Sequence, residues 1–116
     1  MQLFWGKCLG DNWCSFMHLK LEDQVFENAY GIYIIWSGAQ TIKVGSGLIR
    51  EEISKDRIDP RITIYPDSTL KVSWCKIDYE SNYIKGIQKY FIEKLNPAIR
   101  LNILDVEPVE ANFPWK

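Results

Sequence analysis

The sequence predicts an α+β domain in which a small antiparallel sheet packs against helices. Residues 30–36 and 41–45 are two runs rich in β-branched and aromatic side chains, and the turn residues Ser-Gly-Ala-Gln separate them. Residues 70–78 alternate apolar and polar side chains, as a half-buried strand does. Residues 81–95 repeat apolar side chains at helical spacing, and Pro97 stops the pattern. Together these patterns predict three strands flanked by helices.

Composition is typical of one globular domain. The 116 residues are 47% hydrophobic, which is enough apolar material for a core. We therefore expect one domain over residues 1–116, with a core at 30–102, an extension rich in Cys and Trp at 1–29 and a tail at 103–116. No apolar run reaches the length of a membrane span, and no signal peptide is visible. We expect a cytoplasmic protein with three reduced cysteines and no membrane partner.

The remaining elements follow in chain order. Residues 16–23 alternate and predict an extra strand near the N-terminus. Residues 48–57 predict a short helix after the glycines of the hairpin, and residues 61–65 predict a short extended piece. Ser81 suits the N-cap of the helix over 81–95. The proline-broken tail is expected to be extended and to pack through Phe113 and Trp115.

Charge gives little general attraction to nucleic acid, because the net charge is −1 and phosphate binding needs a basic excess. Basic side chains near the first helix are offset by acidic neighbours. The later helix and its exit hold Lys85, Lys89, Lys94 and Arg100 against Glu93. A basic surface is therefore expected on the later helix, although a solvated helix face explains the same residues.

The hairpin carries a recognisable signature. Gly-Ile-Tyr at 31–33, Lys-Val-Gly at 43–45, a helix, and a later helix ending in KLNPAIRLN resemble the GIY-YIG nuclease superfamily over residues 30–102. The resemblance implies cleavage of a phosphodiester with one divalent metal, Mg or Mn. It implies that tyrosines on both hairpin strands activate water, that an arginine on the first helix stabilises the phosphate, and that a glutamate on the later helix holds the metal.

Most signature positions carry a different residue here. Tyr33 keeps the first tyrosine position, whereas Lys43 replaces the second tyrosine. The arginine position falls on Glu52, with Arg50 as the better nearby candidate and Arg57 as the other. The resemblance therefore implies Tyr33, Lys43 and Arg50 as the catalytic candidates.

The metal position shows the most damaging change. It falls on Gln88, whose neutral amide binds a hard divalent ion far less well than a carboxylate, so weak or no metal binding is expected. Glu93 lies five residues further on, about 140° around the helix, and cannot simply replace it. Asn102 or Arg100 is the counterpart of a terminal asparagine in the family. The resemblance thus implies the fold with a largely degenerate catalytic set.

Two hypotheses about function follow from this pattern. The first is a domain that binds nucleic acid (DNA or RNA) or a protein partner and needs no cofactor. The candidate contacts for nucleic acid are Lys43, Arg50, Arg57, Lys85 and Lys89. A protein partner suits the near-neutral charge and the five tryptophans. The alternative is an active Mg- or Mn-dependent endonuclease that recruits Glu51, Glu52 or Glu93 for the metal.

Structural explanations exist for the same residues. Tyr33 can be explained as an aromatic residue that packs within a strand. Gln88 can be explained as a polar residue at the rim of the buried face of its helix. Glu51 and Glu52 suit the positive end of a helix dipole. Each of these residues therefore has a structural as well as a functional interpretation.

A zinc module is the third hypothesis. Cys8, Cys14 and His18 have ligand types that zinc prefers, and a fourth ligand would have to come from Cys75 or a carboxylate. The C-x5-C-x3-H spacing lacks the tight C-x2-C knuckle, however. Buried thiols beside tryptophans explain the cysteines better, so no zinc is expected.

Overall fold

In the part of the chain that the structure describes, four antiparallel strands form one sheet. β1 (Cys14–Ser15), β2 (Tyr30–Ser37), β3 (Gln40–Leu48) and β4 (Leu70–Lys76) lie in the spatial order β1-β4-β2-β3. This computed structural model describes residues 1–78 and 81–115, and the side chain of Ser81 lies outside that description. The α+β class is confirmed: the three predicted strands of the sheet are present, and the fourth strand is β1 rather than the extra strand predicted over residues 16–23.

Three α-helices complete the fold in the described residues: α1 (Ile49–Asp56), α2 (Pro60–Thr63) and α3 (Ser81–Leu95). Successive side chains of a strand point to opposite faces of a sheet. Tyr33 and Ile35 of β2 accordingly share a core with α1, whereas Ile32 and Ile34 share the other core with α3. The sheet therefore divides the interior into an α1 side and an α3 side. The proposed N-cap of α3, the Ser81 side chain, is not among the described groups.

The hairpin and both predicted helices, α1 and α3, are confirmed. Gly38 takes a positive φ of 60° in the turn between β2 and β3, and β3 runs directly into α1. A bulge between Ile35 and Trp36 shifts the register of the two strands. On the side of the bulge away from the turn, Tyr33 pairs with Gly45 and Ile35 pairs with Lys43. This register places Tyr33 and Lys43 on the α1 side.

Two segments that were predicted to be extended are not. After Phe16, residues 16–23 turn away from the sheet, starting with a backbone bond from Leu19 N–H to the Ser15 carbonyl (3.0 Å). Residues 61–65 lie largely in α2, because Asp59 caps the N–H of Arg61 (2.9 Å) and a proline begins the helix. The Asp-Pro start signal outweighs the β-branched run that follows it.

The expectation of three reduced cysteines is wrong. Cys8 and Cys14 form a disulfide, and Cys75 is a buried free thiol. A one-turn 3-10 helix, Leu9–Asp11, folds the chain back so that the two sulfurs meet. The cysteines therefore no longer support a cytoplasmic location, which stays a prediction. In the described ranges, no helix has the length and apolarity needed to span a bilayer.

The segment after α3 closes the sheet beside β3. Ala98 N–H donates to the Thr41 carbonyl (3.1 Å), and Ile99 N–H donates to the Ile42 carbonyl (2.8 Å). The tail then returns across α3, where the Phe113 ring lies 5.5 Å from that of Phe91. The predicted packing of the tail through Phe113 and Trp115 is confirmed.

Candidate functional site

A buried polar triad lies between the hairpin and α1. The Tyr33 side chain is fully buried, and its hydroxyl donates to Oδ2 of Asp56. The Lys43 ammonium donates to the other oxygen, Oδ1, at 2.6 Å. The Asp56 side chain is 4% exposed and that of Lys43 is 13% exposed. One carboxylate therefore satisfies both signature side chains of the hairpin.

Backbone geometry holds the triad in place. A side chain at Gly45 would put its Cβ 2.2 Å from Cζ of Tyr33, so the ring lies directly on the glycine backbone. Asp56 is the last residue of α1, and it shares the buried face of the helix with Ile49 and Ile53. Sequence reasoning missed Asp56. Its spacing of three and seven residues from the two isoleucines was the available signal, because such spacing marks one helix face.

The electrostatics make Tyr33 a proton donor. Burial raises the pKa of its hydroxyl far above the ordinary value, and the negative charge of Asp56, its hydrogen bond and Glu52 raise it further. A phenol in this state stays protonated at neutral pH. Since it also has no exposed surface, Tyr33 cannot contact a water molecule or a phosphate from solvent.

Alkaline pH is expected to destabilise the fold through this tyrosine and through Cys75. Burial raises the pKa of the Cys75 thiol from 9.0 to about 11. For both groups the pKa in the folded state lies above that in the unfolded state. The stability that the two groups contribute is therefore fully present below pH 9 and is lost as pH rises further. The free energy of unfolding, measured with urea from neutral to alkaline pH, should fall less steeply in Tyr33→Phe than in the wild type.

Exposed Tyr30 provides the matched control, since its side chain is 53% exposed. Tyr30→Phe removes an exposed phenol, so a comparison of the two variants isolates the contribution of the buried one. An equal slope in Tyr33→Phe and the wild type would show that Tyr33 titrates alike in the folded and unfolded states.

The two arginine candidates hold the N-terminal extension against α1. Arg50 donates through Nε and Nη2, and so does Arg57. The four acceptors are backbone carbonyls of one segment, those of Phe16, Leu19, Leu21 and Asp23. Burial lowers the pKa of Arg57, yet a guanidinium stays charged at neutral pH. These forks replace the ladder hydrogen bonds that a strand over 16–23 would have made.

Gln88 lies on the other side of the sheet. It is 1% exposed, and its Nε2 donates to the Val44 carbonyl at 3.0 Å. Its Oε1 accepts a hydrogen bond from the Ser46 hydroxyl (2.7 Å) and faces the Lys85 ammonium at 3.4 Å. Lys85 also donates to the Ser46 oxygen at 3.0 Å. The amide is thus fully buried, rather than at the rim, and the sheet separates it from the Tyr33 triad.

The carboxylates of the alternative hypothesis do not converge. Glu52 pairs with Lys55 at 3.2 Å, whereas Glu51 and Glu93 are exposed. Across residues 1–78 and 81–115, no group of three or more His, Cys, Asp or Glu side chains is arranged to hold a metal. The Cys8 and Cys14 sulfurs of the zinc hypothesis are bonded to each other.

All five candidate contacts for nucleic acid have acceptors inside the protein. Lys89 completes the set, because its ammonium donates to the Val106 carbonyl at 3.0 Å. These five side chains therefore have structural roles. Lys43, Arg50 and Arg57 join α1 to the hairpin and to the N-terminal extension. Lys85 and Lys89 join α3 to β3 and to the tail.

Comparison of the chain with protein-family models, with curated proteins and with solved structures finds no match.

Proposed function

We propose that this chain is a GIY-YIG-like domain that has no nuclease activity and works by binding a protein partner. The observation that supports the proposal is the internal pairing of the residues at the signature positions. Tyr33 and Lys43 share Asp56, the arginines beside the signature position hold backbone carbonyls, and Gln88 is bonded to β3.

Phosphodiester cleavage needs groups that reach the substrate. A general base must come within hydrogen-bond distance of the attacking water, and a metal needs charged oxygen ligands. Here the tyrosine is buried and protonated, and the amide at the metal position faces an ammonium. The hairpin and α1 therefore retain packing roles where a nuclease would have reactive ones.

The surface favours protein over nucleic acid as the partner. Several exposed cations are already paired with carboxylates, as in Lys7 with Asp11 and Arg61 with Asp59. Large apolar side chains are exposed instead: Phe4 at 85%, Leu9 at 95%, Ile58 at 82% and Ile64 at 79%. Compensated charge with exposed apolar side chains suits protein association better than phosphate binding.

A cleavage assay tests the loss of activity. We expect no cutting of supercoiled plasmid, single-stranded DNA or RNA with magnesium or manganese, beyond the level seen with Tyr33→Phe. The variant controls for contaminating nuclease, and circular dichroism checks that it is folded. Metal-dependent cutting that disappears in a folded Tyr33→Phe variant would overturn the proposal and favour a rearranged active site.

A salt titration tests the choice of partner. Phosphate contacts give an affinity that falls steeply as salt rises. We expect DNA and RNA to bind weakly and Lys89→Ala to leave that binding unchanged. If DNA or RNA binds tightly with a strong salt dependence, and Lys89→Ala weakens that binding, the proposal of a protein partner is wrong and nucleic acid is the partner.

A further inference from the structure

An open pocket of about 500 Å³ lies where the hairpin turn, the end of α3 and the tail meet. We call it the indole pocket, since Trp36 and Trp115 form two of its walls. Leu95 and Ala39 add apolar surface, and Thr41 and Lys94 add polar groups. Its size lies within the range of pockets that bind small ligands or a few side chains.

The walls of the indole pocket are fixed before anything binds. The two indole rings lie 5.9 Å apart at 69°, in an edge-to-face contact. Trp36 Nε1 donates to the Ser73 hydroxyl at 3.0 Å, and Trp13 packs against the same ring at 6.2 Å. Trp115 stacks on Phe113 at 6.3 Å and 12°. A preorganised aromatic surface loses little entropy when it binds a partner.

The charge of the pocket selects for anions. Lys94 is exposed, and its ammonium lies 5.8 Å from the centre of the Tyr90 ring. The lining that the structure describes contains no carboxylate to neutralise this ammonium. An occupant that combines a flat apolar group with a negative charge therefore complements both the indoles and the lysine.

We propose that the indole pocket binds an extended peptide segment in which a proline is followed by an acidic residue. The inference rests on the proposed protein-binding function and names the kind of segment that is bound. Proline rings pack on aromatic surfaces, and a proline-rich segment is already extended before it binds. The acidic side chain then reaches Lys94.

Labelled synthetic peptides test the assignment by fluorescence anisotropy. Three peptides of equal length carry Pro-Glu, Pro-Lys or Ala-Glu at the centre of an otherwise neutral sequence. We expect the Pro-Glu peptide to bind most tightly, with a Kd roughly tenfold lower than that of either of the others. The Pro-Lys and Ala-Glu peptides separate the contribution of the charge from that of the proline.

Two variants locate the binding site on the protein. Trp115→Ala should weaken binding of the Pro-Glu peptide about tenfold, and Lys94→Glu should reverse the preference toward the Pro-Lys peptide. Trp115 is 41% exposed near the chain end, so its truncation is expected to leave the fold intact, which thermal unfolding checks. Lys55→Glu provides the control for Lys94→Glu and should leave the peptide preference unchanged. Lys55 is exposed, lies on α1 and is absent from the pocket lining.

The outcomes are distinct from those of the cleavage assay. Equal binding of the three peptides, binding that neither variant changes, or no binding of any peptide overturns the indole-pocket assignment. The proposal of a domain without nuclease activity survives each of these results, because only metal-dependent cutting contradicts it.

Discussion

Replacement of Asp56 by alanine is expected to destabilise the protein by about 3–5 kcal/mol, as loss of one partner from a buried ion pair does. The change leaves the Lys43 ammonium, whose side chain is 13% exposed, without its carboxylate. It also leaves the buried Tyr33 hydroxyl without its acceptor. Chemical denaturation monitored by tryptophan fluorescence measures the difference in the free energy of unfolding.

Two comparisons make this result specific to the triad. Glu51→Ala removes an exposed carboxylate from the same helix and should change stability little. Combining Asp56→Leu with Lys43→Met and Tyr33→Phe removes all three polar groups, so it should recover part of the loss. A loss below about 1 kcal/mol in Asp56→Ala would mean that water solvates the triad, since only solvated pairs contribute so little.

Gly31→Ala is expected to cost about 3 kcal/mol, the upper end of typical overpacking effects. A Cβ on Gly31 would lie 1.9 Å from the carbonyl oxygen of Cys75 and 3.1 Å from Cα of Lys76. Both atoms belong to the backbone at the end of β4, which pairs with β2, so relief requires the two strands to separate. The first glycine of the hairpin signature is thus required by strand packing, whatever chemistry the domain performs.

Gly38→Ala provides the matched control in the same hairpin. A Cβ there meets nothing within 4 Å, and only the positive φ of 60° opposes it. We expect a loss of roughly 1–2 kcal/mol from this backbone strain. Equal losses in the two variants, measured by urea denaturation, would show that the strands adjust to a Cβ on Gly31.

The parts of the fold that the sequence predicted correctly depend on local signals. The hairpin has two β-branched runs with a short turn between them, and α3 has a long apolar repeat that a proline stops. Residues 16–23 also alternate, yet their conformation depends on Arg50 and Arg57, which lie 27 to 41 residues further along the chain. A pattern read within eight residues does not contain such partners.

The candidate site shows the same division between local and distant information. Tyr33 and Lys43, two of the catalytic candidates, lie on one face of the hairpin because strand pairing fixes their register. Their common partner, Asp56, comes from the far end of α1, and only its phase with two isoleucines points inward. Gln88 lies across the sheet from them, a relation set by which face each helix covers.

The sheet has β3 as one outer strand and the two-residue β1 as the other, and a segment outside the sheet covers part of β3. The carbonyls of Thr41 and Ile42 accept hydrogen bonds from the segment after α3, and Gln88 takes the Val44 carbonyl. On the opposite side, β1 and the N–H of Gly6 cover β4. An uncovered edge is a template on which a strand from another chain can add. Addition of a strand to β3 would therefore first require the segment after α3 to detach, and β1 offers only two residues for pairing. Both features oppose self-assembly into fibrils through the sheet.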